Sequence, residues 1–252
     1  MLKSNREAYL NLCTQFYDLS RPVPPEDAYQ FYRAYVKEAK GLILEPMCGS
    51  GRFLLPLIEE GFNVHGFDAS EHMVTALNTK AQIKNLEPFV WMDFVETLSR
   101  PTQYNLIFIP TGSFGLITPI DKIERSLKTL YEHLEDKGIL LFEVETSFSL
   151  PPLGIWRGSI WERPDGNTII ASQLVNLNNS ICHAVGRYEL VEMNSIIHTE
   201  IEEFKLRLYD NPSILIEILR QVGFKKIKMM KAYDRNEKPG QNDASILFEC
   251  RK

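Results

Sequence analysis

Ile43-Leu44-Glu45-Pro46-Met47-Cys48-Gly49-Ser50-Gly51-Arg52-Phe53-Leu54 is the stretch that decides the reading of this chain. An apolar strand from Gly41 to Leu44 runs into an acid and then a Gly-x-Gly turn, and an amphipathic helix follows through about residue 60. An α/β fold builds a nucleotide cradle in this way. Small residues let the backbone approach the ligand, and the next helix presents unpaired N–H groups. The dinucleotide fingerprint G-x-G-x-x-G would need a third glycine where this chain has Leu54. Glu45 would repel a pyrophosphate and suits a cationic ligand better.

Around this stretch the chain alternates strand and helix, which predicts a parallel sheet. The predicted strands are Gly41 to Glu45, Asn63 to Asp68, Phe89 to Asp93, Tyr104 to Ile109 and Gly138 to Glu145; helices are expected over about 50–60, Ser70 to Gln82 and Pro119 to Leu134. Several strands are nearly continuous apolar runs, as helices on both faces require. Before them, Glu7 to Leu19 and Glu26 to Lys40 read as two helices broken at Arg21-Pro22-Val23-Pro24-Pro25. After Pro151-Pro152 the rhythm changes. Asn167 to Asn176, Ile181 to Met193 and Ile196 to Tyr209 read as three strands joined by hairpin turns at Asn178-Asn179-Ser180 and Asn194-Ser195. A helix from Asn211 to Val222 and strands from Phe224 to Tyr233 and Ser245 to Arg251 restore the α/β pattern, with a polar, mobile linker over Asp234 to Ala244.

Length and composition fit one α/β core with elaborations. The 252 residues are 44% hydrophobic and 24% charged, as in ordinary globular proteins. A net charge of −5 argues against a broad nucleic-acid surface. The four cysteines are dispersed without a C-x-x-C pair, so neither a metal site nor a disulfide framework is expected. The N-terminus lacks the apolar region of a signal peptide, and no apolar run is long enough to span a bilayer. The expectation is a cytoplasmic protein with no membrane or nucleic-acid partner; a homodimer is compatible with the sequence.

Two more acids stand where this fold places ligand contacts. Asp68 ends the second strand, where an acid accepts hydrogen bonds from ribose hydroxyls, with Ser70 available to cap the next helix. Asp93-Phe94 ends the third, where the carboxylate suits an adenine amino group and Phe94 or Met73 packs on the ring. Ile109-Pro110-Thr111-Gly112 ends the fourth strand at the same edge.

The succession Glu45-x-x-x-Gly49-x-Gly51, Asp68, Asp93-Phe94 and Asn105-Leu106-Ile107 resembles class I S-adenosylmethionine-dependent methyltransferases, over about Leu42 to Glu145 and in pattern over Asn211 to Cys250. In layout the chain is similar to small-molecule enzymes of that group, including sugar-amine N,N-dimethyltransferases. The resemblance implies a doubly wound, mostly parallel seven-stranded Rossmann-like sheet whose last strand is antiparallel. It implies a cofactor site with Glu45, Met47, Gly49 and Gly51 at the methionine part, Asp68 at the ribose, Met73, Asp93 and Phe94 at the adenine, and Ile109 nearby. The Asn/Asp-Pro-Pro-Tyr/Phe signature of adenine, cytosine and glutamine methyltransferases is absent; Ile109-Pro110-Thr111-Gly112 stands in its place.

The domain reading follows. Residues 1–40 form an N-terminal helical lid, 41–150 and 210–252 the cofactor-binding core, and 151–209 an antiparallel β insertion over the acceptor. Candidate catalytic residues toward a small-molecule acceptor, where a carboxylate, tyrosine or histidine could remove its proton, are Tyr17 on the lid, Glu143 and Glu145 at the end of the fifth strand, and His183, Arg187 and Tyr188 on the insertion. His183 and Tyr188 are five residues apart, so a regular strand would send them to opposite faces. Trp156 and Trp161 could line an aromatic acceptor pocket. Nitrogen, oxygen and carbon acceptors all remain open, as do an NAD(P)-dependent oxidoreductase and a non-catalytic cofactor-binding protein.

Overall fold

The computed structural model describes residues 9–252. Two helices come first, α1 (Asn11–Ser20) and α2 (Glu26–Glu38). Glu7 and Ala8, at the expected start of the first helix, lie outside the described residues. The core follows as β1 (Ile43–Pro46), α3 (Leu54–Glu59), β2 (Val64–Asp68), α4 (Glu71–Ile83), β3 (Phe89–Met92), β4 (Tyr104–Ile109), α5 (Ile120–Glu132) and β5 (Leu134–Glu145). Then come β6 (Arg157–Glu162), β7 (Thr168–Asn178), β8 (Ile181–Glu192) and β9 (Ser195–Arg207), and finally α6 (Ser213–Val222), β10 (Lys226–Lys231) and β11 (Ser245–Arg251).

The strands form two sheets. The first has seven strands in the order β10-β11-β5-β4-β1-β2-β3; β11 runs antiparallel to both its neighbours and the other pairings are parallel. Helices cover both faces, as the doubly wound expectation required. One face packs Ile123, Leu127 and Leu130 of α5 and Leu215, Ile218 and Leu219 of α6 against Ile107, Leu140 and Phe248. The other packs Phe31, Tyr32 and Tyr35 of α2 with Leu54, Leu57 and Leu77 against Leu106, Phe108 and Leu141. Both faces of β4 and β5 are therefore apolar, which explains their continuous hydrophobic runs.

The second sheet is wholly antiparallel, in the order β6-β7-β8-β9. It has one strand more than the sequence suggests. Arg157–Glu162 pairs with β7 from Arg157↔Gln173 to Glu162↔Thr168, yet five of its six residues are exposed. An edge strand with little buried surface carries no period-2 apolar alternation, so its residues do not announce it.

Helix α1 joins the two sheets. Leu12 and Cys13 pack with Ile169, Ala171 and Tyr188 on the inner face of the second sheet. A helix N-terminus leaves backbone N–H groups without partners, and negative charge there is favourable. No side chain of the helix caps them. Instead β9 supplies the acceptors: Glu202 takes the N–H of Tyr9 (2.7 Å) and of Leu10 (2.8 Å), and Glu200 takes that of Leu12 (2.7 Å). Near the other end of α1, Asp18 accepts from Ser50 Oγ at 2.5 Å and pairs with Lys80 Nζ at 2.8 Å. The same helix is thus bonded to the second sheet and to the glycine turn. Arg207 adds a further tie by donating to the carbonyl of Thr118 from Nε (2.9 Å) and Nη2 (2.7 Å).

Candidate functional site

The glycine turn is built by backbone geometry. Met47, Gly49 and Gly51 have φ of +58°, +54° and +83°. A Cβ at Gly51 would stand 2.9 Å from Leu55 Cγ and from Leu77 Cγ, so this position is closed to side chains as well as left-handed. In the dinucleotide fingerprint the third glycine serves close helix–strand packing. Here Leu54 occupies that place, and the close approach is moved to β2. A Cβ on Gly66 would collide with Leu54 Cδ1. The absent third glycine is thus answered by Gly66, a residue outside the motif that nothing in its sequence neighbourhood singles out.

Asp68 holds the turn in shape. Its Oδ2 accepts from the N–H of Gly49 at 2.8 Å and its Oδ1 from that of Ser70 at 2.9 Å. Burial raises its pKa, and the backbone donors at Ser70, Gly49 and Ala69 oppose the rise. Each oxygen keeps a second lone pair for a ligand hydroxyl. Ser70 also caps α4 as expected, accepting from the N–H of Met73 at 3.2 Å. Met73 is buried, and its Sδ is the atom nearest to where a Gly49 Cβ would be.

Glu45 sits at the foot of the turn, 2% exposed, and its Oε2 has no hydrogen-bond partner among the described residues. Burial pushes its carboxyl well above the usual range, and the negative charge of Asp68 adds to this. A buried acceptor without a partner is costly, and a bound ligand's donor would satisfy it. The groups around the turn are two carboxylates and backbone amides, with no lysine or arginine bonded to either acid among the described residues, and this set fits a cationic nucleoside.

At the end of β3, Asp93 Oδ1 accepts from the Phe94 N–H and from Thr97 Oγ1, each at 2.9 Å. Its Oδ2 receives a longer bond from Trp91 Nε1, 3.3 Å. Phe94 is exposed beside it. The Asp93 N–H donates to the carbonyl of Asp68 at 3.1 Å, which brings the two acids to one edge of the sheet. Ile109 differs: its side chain is fully buried in the core, so only its backbone reaches the site.

On the other half of the same edge, a cavity of about 210 Å³ is lined by Thr111, Glu143, Glu145, Ser149, Tyr233, Ala244 and Ser245. Glu143 is 4% exposed and accepts from the Thr111 N–H (3.0 Å) and from Tyr233 Oη (3.1 Å to Oε2). Glu145, two residues on and on the same side of β5, accepts from Ser149 Oγ at 2.8 Å. Burial raises the pKa of both carboxyls. Gly112 leaves room for Glu145: a Cβ there would lie 2.7 Å from Glu145 Cγ. Thr111, Tyr233 and Ser245 are not among the residues that the sequence singles out for chemistry. Their signal is topological, because β11 returns beside β5 and delivers the linker before it to this edge. That linker, expected to be mobile, is tied to the core where Asp243 and Ala244 accept from Thr146.

The remaining candidates separate. Tyr17 is half-buried on α1 with the Arg21 guanidinium 5.4 Å from its ring, and Arg21 also bears on Glu145. Tyr188 is buried on the inner face of the second sheet, where Gln173 Nε2 donates to its hydroxyl at 3.3 Å and burial lifts its pKa far up. His183 is exposed and lies in the alternate register, on the outer face with Arg187. Trp156 and Trp161 part in the same way. Trp161 meets Phe16 edge-on at 6.2 Å, whereas Trp156 borders an open outer recess of about 330 Å³ with Arg157, Gly158, Ser172 and Arg187.

Comparison with known proteins bears on the half of the edge that carries Glu45 and Asp68. The family model described as a methyltransferase domain matches residues 43–138, from β1 to the start of the apolar part of β5. The match covers the strand–helix units that carry the glycine turn, Asp68 and Asp93. A relative from Geobacillus sp. (strain WCH70), provisionally named a methyltransferase, is 22% identical over 253 residues, spanning 94% of this chain and 97% of its own. Among solved structures, an S-adenosylmethionine-dependent methyltransferase from Clostridium acetobutylicum ATCC 824 superposes with a TM-score of 0.77 at 17% identity, over 94% of this chain and 96% of its own. The sugar N-methyltransferase KedS8 from Streptoalloteichus sp ATCC 53650 gives 0.76 at 15%, over 100% and 99%. At these identities the two structures show a shared fold, and the shared fold extends beyond the matched segment through the second sheet.

Among the described residues no helix is long and apolar enough to cross a membrane, and no group of three or more His, Cys, Asp and Glu side chains is arranged to hold a metal ion.

Proposed function

We propose that this chain transfers a methyl group from S-adenosylmethionine to a small-molecule acceptor by in-line displacement. The observation that carries the reading is Glu45, buried at the foot of the glycine turn with an unpartnered oxygen. A ligand bearing an ammonium and a sulfonium but no phosphate suits that charge. Bound here, the cofactor supplies a methyl carbon already activated by its positive sulfur. The protein's tasks are then positioning and the exclusion of water.

Each residue's part follows from its place. Glu45 and the turn at Met47, Gly49 and Gly51 hold the methionine end. The free lone pairs of Asp68 take the ribose hydroxyls. Asp93 takes the adenine amino group through its less engaged oxygen, with exposed Phe94 and buried Met73 on the two sides of the ring. Helix α1 acts as a lid, whereas α2, expected to share that role, is a core layer packed on the sheet, and the second sheet closes the acceptor side. Tyr17 borders the closed space from the lid; Tyr188 supports α1 from below.

Titration calorimetry tests this. Binding of S-adenosylhomocysteine with no response to NAD is the expected result. Binding of NAD and not of S-adenosylhomocysteine would replace the reading with a dinucleotide-dependent oxidoreductase.

A further inference from the structure

The cavity beside Glu143 and Glu145 has a chemistry of its own. Two carboxyls, a phenol, two serines and a threonine line it, and among the described residues no lysine, arginine or histidine does. Glu143 is fixed by Thr111 and Tyr233, so its charge cannot swing away to solvent. The completely buried hydroxyl of Tyr32 stands against Glu143 and Tyr233, behind the cavity wall. The cavity also lies at the same carboxyl edge as Glu45, across the β4 end at Thr111 and Gly112, in the sheet order β5-β4-β1. The positive charge that bears on Glu145 is Arg21, which comes from the end of α1 and is exposed.

We propose that this cavity is the acceptor subsite and that it takes an amine, with Glu143 as the fixed counter-charge and Glu145 as the proton acceptor; this rests on the methyl-transfer reading above. The amine arrives as its ammonium form. Glu145 takes one proton and frees the nitrogen lone pair. The nitrogen then forms the new N–C bond to the methyl carbon while the C–S bond breaks, its electron pair staying on sulfur. Tyr233 is a positioning residue, since it acts through Glu143. An alcohol of the same shape would leave the two carboxylates without a counter-charge, and a carboxylate would be repelled by both.

The test uses the full chain saturated with S-adenosylhomocysteine and three probes of one shape: cyclohexylammonium, cyclohexanol and cyclohexanecarboxylate. Calorimetry or ligand-observed NMR is expected to show the ammonium binding about tenfold or more tighter than the other two, the equivalent of ~1.4 kcal/mol. Glu145→Gln is expected to lose about tenfold in ammonium affinity while S-adenosylhomocysteine affinity stays within about twofold. Equal binding of the three probes, or an unchanged ammonium affinity in Glu145→Gln, overturns the proposal. A large loss of S-adenosylhomocysteine affinity in Glu145→Gln also overturns it, because the cavity would then hold the cofactor's own ammonium. If circular dichroism shows that Glu145→Gln does not fold, Glu143→Gln and Tyr233→Phe replace it with the same expectation. If S-adenosylhomocysteine does not bind at all, the methyl-donor reading fails by itself, and titrating the ammonium into the free protein still decides whether the cavity selects cations.

Discussion

The two halves of the sheet edge hold carboxylates for different reasons. On the β1–β2–β3 side, Asp68 and Asp93 are engaged by backbone N–H groups of the turns they shape, within a short span of sequence. On the β5–β11 side, Glu143 is held by a threonine N–H and a tyrosine hydroxyl that are 32 and 90 residues away. The first half is a local device, in which strand, acid, turn and helix follow one another along the chain. The second half exists only after the sheet has closed. A fixed ligand can be served by the local device in any protein that keeps the turn. The side that assembles late is free to change with the molecule it receives.

The sharpest way to break this contrast is Asp68→Ala. The substitution leaves the Gly49 and Ser70 N–H groups without their acceptor and removes the carboxylate assigned to the ribose. Hydrogen bonds to a charged group contribute about 1.5–3 kcal/mol each, so the loss in S-adenosylhomocysteine affinity should be on the order of 100-fold. The cyclohexylammonium affinity of the free protein should change little. Equal damage at both halves would show that they form one unit.

Much of the first half is legible in the amino-acid sequence alone. The order of Glu45, Gly49, Gly51, Asp68 and Asp93 along an alternating strand–helix pattern is enough, because each residue acts within its own strand–turn unit. Tyr233 and Ser245 are not legible in this way. Their role depends on β11 inserting beside β5, and nothing near them in sequence records that neighbour. Edge strand β6 is invisible for a different reason, since an exposed strand has no buried face to impose alternation. The capping of α1 by Glu200 and Glu202 is equally hidden. A glutamate on a strand reads as solvent-facing until a helix end is laid over it, and Glu202 is in fact fully buried.

A smaller effect separates the halves by charge. Burial raises the pKa of Glu45, Asp68, Glu143, Glu145 and Glu202. A carboxyl whose pKa is higher folded than unfolded binds more proton in the folded state. Its contribution to stability is present below the unfolded pKa and is lost as pH rises through the folded one. The free protein should therefore lose thermal stability as pH is raised from the ordinary carboxylate range toward neutrality. A cationic ligand favours the ionised form of the carboxyls it faces, Glu45 for the cofactor and Glu143 and Glu145 for an ammonium, and should flatten this slope. Glu45→Gln should flatten it without ligand, by about 2–4 °C across the window, the size of a ~1 kcal/mol term in a chain of this length. Melting curves of both proteins, with and without S-adenosylhomocysteine, measure it. A melting temperature that rises with pH in that window would mean these carboxyls are not proton-loaded in the folded state.

The smallest expected effect concerns the second sheet, whose two faces differ as much as the two halves of the edge. Its inner face meets α1 through Ile169, Ala171 and Tyr188, whereas its outer face carries His183 and Arg187 in the open. Strand periodicity forbids His183 from reaching the inner face without a register slip, and a slip would expose Cys182 and bury the imidazole in its place. His183→Ala should therefore leave methyl transfer and S-adenosylhomocysteine affinity within about twofold, inside the roughly ±0.5 kcal/mol usual for exposed positions. Tyr188→Phe makes the paired measurement on the inner face: it keeps the ring packed on Phe16, at 5.5 Å, and removes only the hydroxyl that Gln173 reaches. A large kinetic loss in His183→Ala with Tyr188→Phe unaffected would reverse the assignment of the faces and put the acceptor on the outside of the sheet.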